Sequence, residues 1–264
     1  MINTVKIDDI NYSVKGNSKQ TVVLLHGYLE SKEMWAELSD FLSEKYKVIC
    51  IDLPGHGKTK TFGIEHSMEF MADIVNTVIE ELKINKFLLV GHSMGGYVSL
   101  AFAEKYVEKL SALVMFHSHV YSDDDTKKTN RNREIKLVQN GNYKTIVDVN
   151  IPNMYATNNL QKFANRVEFS KNIALNTPEK GVIAALNGMK NRKDRFSIVA
   201  NTKIPILFLP GKFDNLIAYI ENDKQYTASQ NIEKVVLNSG HMGMFEDKEK
   251  AFSILSDFIA KNIN

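Results

Sequence analysis

Short runs of nearly unbroken apolar residues alternate along the chain with longer stretches in which apolar positions recur every three to four residues. The runs TVVLLH (21–26), YKVICID (46–52), KFLLVG (86–91) and LSALVMF (110–116) are β-rich and almost continuous in apolarity. Strands buried on both faces of a parallel sheet have this composition. Two more runs come late, IPILFLPG at 204–211 and EKVVLNS at 233–239. Residues 3–15 read as two early strands around a turn at Asp8-Asp9. Helical patterns intervene near 32–44, 66–83, 95–106 and 247–262. The second of these carries Met68, Met71, Ile74, Val75, Val78, Ile79 and Leu82 as an apolar stripe at helical period. The alternation predicts an α/β fold with a mostly parallel sheet of eight strands and helices on both faces.

Residues 119–200 break the rhythm, with polar, helix-prone segments and no strand of comparable quality. Thr177-Pro178-Glu179 marks a helix start, with an N-cap, a proline at the first helical position and an acidic residue in the first turn. Fourteen Lys or Arg against eight Asp or Glu fall in this segment, so the positive charge is concentrated there. It reads as a helical insertion, 119–200, in a core formed by 1–118 and 201–264. No internal repeat or low-complexity tract is evident.

Apolar residues at 44% and charged residues at 24% give an ordinary globular balance. A formal charge of +2 makes no case for nucleic acid or a membrane surface. No stretch is long and apolar enough to span a bilayer. Cys50 is the sole cysteine, so no internal disulfide can form, and KVICIDL marks it as core filler. With no basic-then-apolar segment in MINTVKIDDINY, a cytoplasmic location is expected. Oligomeric state is not legible.

Candidate chemistry concentrates in FLLVGHSMGG, residues 87–96. Gly91 and Gly95 flank Ser93, between a predicted strand and a predicted helix. That spacing suits a sharp turn that projects the central side chain at the carboxyl edge of the sheet. A serine hydroxyl needs a base to attack, and the base needs an orienting acid. Of seven histidines, His241 in NSGHMGMFED follows the last strand, where a loop could return over Ser93, and Gly240 and Gly243 leave room for its ring. For the acid, Asp214 in LPGKFDN follows a glycine turn at the same sheet edge. The rivals Asp123, Asp124 and Asp125 resemble a solvated loop, although Asp214 as a simple turn residue stays open. The backbone N–H groups of Met94 and Tyr28 are the expected oxyanion donors.

Together LLHGYLES, DLPGHGKT, VGHSMGG, PILFLPGKFD and SGHMGMFED resemble the α/β-hydrolase superfamily over nearly the whole chain. The resemblance implies a triad of Ser93, Asp214 and His241, an oxyanion hole at Tyr28 and Met94, and a helical cap at 119–200. It implies no cofactor and no metal, and it gives His26 and His56 loop-organising roles. Dehalogenases and epoxide hydrolases of that superfamily use an aspartate where Ser93 stands. The expected activity is cleavage of a small or medium carboxylic ester through an acyl-enzyme. The same triad also serves C–C bond, amide, lactone or peroxide chemistry, or a ligand-binding receptor with incidental turnover. A metal site at His117-Ser118-His119 is a weaker reading, because Val120 and Tyr121 interrupt the ligand spacing. Pocket candidates are His117, Met154, Tyr155, Phe163, Met189 and Met242. Arg131, Arg133, Arg166, Arg192 and Arg195 read more readily as a solvated positive face than as an anion site.

Overall fold

The structure, a computed structural model, describes residues 5–263. Seven strands form one sheet: β1 (Tyr12–Lys15), β2 (Thr21–Leu25), β3 (Lys47–Ile51), β4 (Phe87–His92), β5 (Leu110–Phe116), β6 (Ile206–Leu209) and β7 (Ile232–Lys234). Their order is β1-β3-β2-β4-β5-β6-β7, with β1 antiparallel to β3 and all other pairs parallel. Every residue of β2, β4 and β6 is buried, as the continuous apolar runs require.

The helices are α1 (Ala36–Ser43), α2 (Met68–Glu81), α3 (Met94–Tyr106), α4 (Asp125–Gln139), α5 (Tyr143–Asn153), α6 (Ala164–Leu175), α7 (Glu179–Lys190), α8 (Phe196–Asn201), α9 (Gly243–Glu246) and α10 (Lys248–Asn262). Helices α4 to α8 all fall between β5 and β6, and α4 packs on α5 and α7 while α5 packs on α6. On α2 the stripe Met68, Met71, Ile74, Val75, Val78 and Ile79 is buried, as its spacing predicts.

Three local expectations differ from the structure. The sheet has seven strands, since residues 7–9 form a 3-10 turn, pinned by an Asp9 carboxylate that accepts the Lys6 N–H. Residues 3 and 4 of the proposed first strand lie outside the described residues. The last strand stops at Lys234, and only an isolated bridge from Gly211 to Leu237 continues its pairing. At the start of α7 the cap is Pro178 itself, in an extended conformation, while the Thr177 hydroxyl donates back to the Ile173 carbonyl.

What positions the site is the junction of β4 and α3 at the middle of the sheet. Residues Met94 to Ala103 of α3 are all buried, so the helix lies hard against the strands. A Cβ on Gly95 would sit 2.5 Å from the Leu25 carbonyl oxygen and 2.7 Å from that of His26. Both neighbours are backbone and cannot step aside. Gly95→Ala is therefore expected to lose about 1–3 kcal/mol or more through overpacking. Urea denaturation checks this against Gly63→Ala, which carries the strain of a positive φ (73°) but no packing clash and is expected to lose less.

Candidate active site

Ser93 occupies the left-handed region with φ 49° and ψ −114°, a conformation that non-glycine residues hold only under constraint. The constraint is a set of backbone ties. Ser93 N–H donates to the Phe116 carbonyl at 3.0 Å, while its own carbonyl accepts from Gly96 N–H at 2.9 Å and the Ser118 hydroxyl at 2.8 Å. Gly91 permits the turn, because a Cβ there would meet the Gly95 carbonyl at 2.4 Å.

His241 and Asp214 come together although 27 residues separate them. His241 Nδ1 donates to Asp214 Oδ2 at 2.6 Å, and both side chains are almost fully buried. The other carboxylate oxygen, Oδ1, accepts the N–H groups of Leu216 at 2.8 Å and Ile217 at 2.9 Å. Burial alone would raise the Asp214 pKa, yet the His241 charge and hydrogen bond bring it below the ordinary carboxylate value. For His241 burial pushes downward and is outweighed by Asp214, so its pKa lies above the ordinary histidine value.

His117 lies behind this pair with Nδ1 at 3.6 Å from Asp214 Oδ2. Its Nε2 accepts the Gly243 N–H at 3.1 Å, so the ring proton sits on Nδ1, facing the carboxylate. His117, Asp214 and His241 are close enough together to suggest a metal site. That tautomer argues against one, because it puts a proton on the nitrogen that would face a cation. Burial holds the His117 pKa well below the ordinary value, so the ring is neutral.

Two buried carboxylates and a histidine that sequence reasoning left out hold the loops in register. Glu30 Oε2 accepts from Gly27 N–H at 2.6 Å and pairs with His92 Nδ1 at 3.0 Å. His92 Nε2 then donates to the His241 carbonyl at 2.8 Å, which ties the serine turn to the histidine loop. Glu246 accepts from the N–H groups of Gly240, Met242 and Ala156. Their only signal in the sequence is an acidic residue inside an otherwise apolar loop motif, LLHGYLES and GHMGMFED.

His26 and His56 are both fully buried. His26 bridges loops, donating from Nδ1 to the Gly27 carbonyl and accepting the Leu53 N–H on Nε2. The N–H groups of Tyr28 and Met94 have no protein acceptor among the described residues. Asp123 is buried rather than solvated, and it faces Arg131 and Arg192 instead of a histidine. Arg192 and Arg195 are likewise 5% and 2% exposed, the latter paired with Glu69 and Glu104. Their guanidinium groups lie in buried ion pairs and are not part of a solvated face.

Ser93 opens onto a cavity of about 330 Å³. Of the expected pocket residues, Met154 and Met189 line it. Tyr155 does not, since its hydroxyl is used inside the insertion on Ser170 Oγ and the Arg166 carbonyl. Phe163 precedes α6, and Met242 is fully buried beside His241; neither lines the cavity, and nor does His117. Leu216 and Ile217 complete the apolar side. The rest of the lining is polar, with Tyr28, Tyr97, Asn150 and the α4 residues Lys127, Asn130, Arg131 and Glu134.

The model of the alpha/beta hydrolase fold family matches residues 20–248. The chain belongs to the α/β-hydrolase family. It is 24% identical over 98% of both chains to a putative 2-succinyl-6-hydroxy-2,4-cyclohexadiene-1-carboxylate synthase of Bacillus subtilis. It is also 24% identical to the monoacylglycerol lipase ABHD6 of Bos taurus, over 94% of this chain and 78% of that one. Among solved structures, a thermophilic esterase from Thermogutta terrifontis superimposes with a TM-score of 0.92 at 27% identity, covering 97% of this chain and 94% of the other. An enol-lactonase from Burkholderia xenovorans gives 0.88 at 18% identity, covering 95% and 96%, which speaks to the fold alone. No helix among the described residues of this family member is long and apolar enough to cross a membrane.

The ties around His92 carry a stability prediction. Glu30→Ala leaves the His92 ring buried without its carboxylate and is expected to cost on the order of 3–5 kcal/mol. Thermal and urea unfolding of the variant check the cost. A loss within experimental error of zero would mean that the pair does not hold the two loops together.

Proposed function

We propose that this α/β-hydrolase is a serine hydrolase that cleaves carboxylic esters of small or medium size through an acyl-enzyme. The observation that carries the reading is the buried His241–Asp214 hydrogen bond, at the same sheet edge as a Ser93 that is strained and opens onto a cavity. Ser93 Oγ attacks the ester carbonyl as His241 Nε2 takes its proton. Asp214 fixes the tautomer through Nδ1 and stabilises the imidazolium. The Tyr28 and Met94 N–H groups, free of protein acceptors, receive the oxyanion. His241 then protonates the leaving alcohol, and water resolves the acyl-enzyme by the same steps.

The segment 119–200 acts as a cap on the core 1–118 and 201–264. In support, α4, α5 and α7 contribute Lys127, Arg131, Asn150 and Met189 to the cavity that Ser93 lines. The esterase and monoacylglycerol lipase names of its relatives agree with ester cleavage. C–C bond chemistry on the same triad is the second reading, favoured by the polar residues that line the cavity. A cytoplasmic setting accords with a lone, buried Cys50.

Three measurements test the proposal. A fluorophosphonate is expected to label the protein at Ser93 and to leave Ser93→Ala unlabelled; labelling that persists in the variant overturns the assignment. Asp214→Asn is expected to lower kcat by roughly 10⁴-fold with the fold intact, as loss of the orienting acid does in other triads. Asp123→Asn, which touches only the two arginines, is expected to act on stability instead.

The third measurement is the pH profile. Only neutral His241 can accept the proton, so activity falls as pH drops through its pKa. Because Asp214 raises that pKa, the acid limb of kcat/KM is expected to have its midpoint above the ordinary histidine value. The limb should move to lower pH in Asp214→Asn, and a limb that stays put would remove Asp214 from its role.

A further inference from the structure

Helix α4 turns one polar stripe toward the cavity: Lys127, Asn130, Arg131 and Glu134, spaced as i, i+3, i+4 and i+7. A helix normally gives such a stripe to solvent, and here it lines a cavity together with Met154, Met189, Leu216 and Ile217. The hydrogen-bond bookkeeping of that wall leaves donors in excess. Lys127 Nζ has no hydrogen-bond or ion-pair partner among the described residues. Arg131 uses Nε and Nη2 on Asp123, and its Nη1 is free.

Tyr97 adds a third donor. His119 Nδ1 accepts the Tyr121 N–H at 3.1 Å, so the imidazole proton must be on Nε2. That nitrogen lies 3.1 Å from the Tyr97 hydroxyl, which therefore accepts and keeps its own proton to give. The Arg192 guanidinium stacks on the ring at 4.0 Å and fixes it from behind.

Charge points the same way. Lys127, Arg131 and Arg192 stand against Asp123 and Glu134, three cations against two carboxylates. Glu134 weakens as a counter-charge, because burial raises its pKa and outweighs the opposing hydrogen bonds from the Tyr28 hydroxyl and the Asn150 amide on Oε1. Burial, with Arg192 nearby, also holds the Lys127 pKa below the ordinary lysine range. A cation partly withdrawn from water and lacking a partner gains from an anion brought to it.

We infer that the cavity takes an ester bearing a free carboxylate, held by Lys127, Arg131 and the Tyr97 hydroxyl while the ester carbonyl lies at Ser93. A carboxylate only accepts hydrogen bonds, and these three groups only have donors to offer it. The inference rests on the serine-hydrolase reading for where the ester lies, and on the cavity wall alone for the anion.

The test compares the monomethyl esters of succinate, glutarate and adipate with methyl esters of equal length that carry a ketone in place of the carboxylate. At least one acid is expected to be favoured about tenfold or more in kcat/KM, with the difference expressed in KM. Lys127→Gln should abolish that preference, and Lys127→Arg should restore it. Preference for the ketone at every length, or a preference that Lys127→Gln leaves untouched, overturns the inference. Calorimetry on Ser93→Ala with monomethyl glutarate separates the two readings. Binding that depends on Lys127 without turnover in the wild type keeps the carboxylate site and removes the hydrolase. Turnover of the ketone esters alone, with no binding of the monoester, does the reverse.

Discussion

The closeness of α3 to the strands beneath it is the constraint on which the site depends. With Gly95 on the carbonyls of Leu25 and His26, and Gly91 against Gly95, the chain has no room to round the turn by a gentler route. Ser93 is forced into positive φ, and the surrounding backbone holds it there through Phe116 and Ser118. Such strain costs on the order of 1–3 kcal/mol and persists only where packing over-determines it. Here packing of fully buried strands on the buried stretch Met94 to Ala103 of α3 supplies that over-determination. The same closeness brings the loop after β2, with Tyr28, beside the first turn of α3, with Met94.

Electrostatics completes what packing begins. Four buried carboxylates lie around or near the site, and each is compensated differently. Asp214 holds an imidazole and two N–H groups, and Glu30 holds a histidine and an N–H. Glu246 takes three backbone N–H groups and the Asn159 amide, and Asp123 takes two guanidinium groups. Only Asp214 sits with a histidine whose remaining nitrogen is free for chemistry. His92 is spent at both ends, on Glu30 and on the His241 carbonyl. Local partners, more than residue type, thus decide which of the acid–histidine pairs keeps an unpartnered ring nitrogen among the described residues.

Much of this was legible in the sequence because the signals are local. A continuous apolar run implies a strand buried on both faces, and two glycines four apart imply a turn with no side-chain space. Asp214 and His241 needed one further step, the rule that loops at the carboxyl ends of parallel strands share an edge. The pocket was less legible. Tyr155 looked like a lining aromatic, yet only tertiary contacts reveal its hydroxyl on Ser170 within the insertion. Arg131 reads as part of a solvated face for a related reason: hydrophobic periodicity cannot tell a helix face turned to bulk water from one turned to a wet cavity. The early strand failed where a short-range hydrogen bond from Lys6 N–H to Asp9 closed a turn that alternation alone does not register.

This division has a physical cause that bears on what the protein acts on. The elbow, the acid and the histidine come from the sheet and its edge loops, whose geometry the strands dictate, and many chemistries can share them. The cavity draws half its wall from helices that no strand constrains. Those helices are instead tied to one another by Asp123, which pairs with Arg131 and Arg192, and to the core by Arg195 on Glu69 and Glu104. The Asp123 pairs hold α4 within the insertion while leaving the cavity-facing side chains between the contacts free to vary. Lys127 is such a side chain, one turn ahead of the anchoring Arg131 and unpaired itself. Single positions on α4 can therefore change without disturbing Ser93, which is why the proposed substrate preference rests on the charge pattern there and not on Ser93, Asp214 and His241.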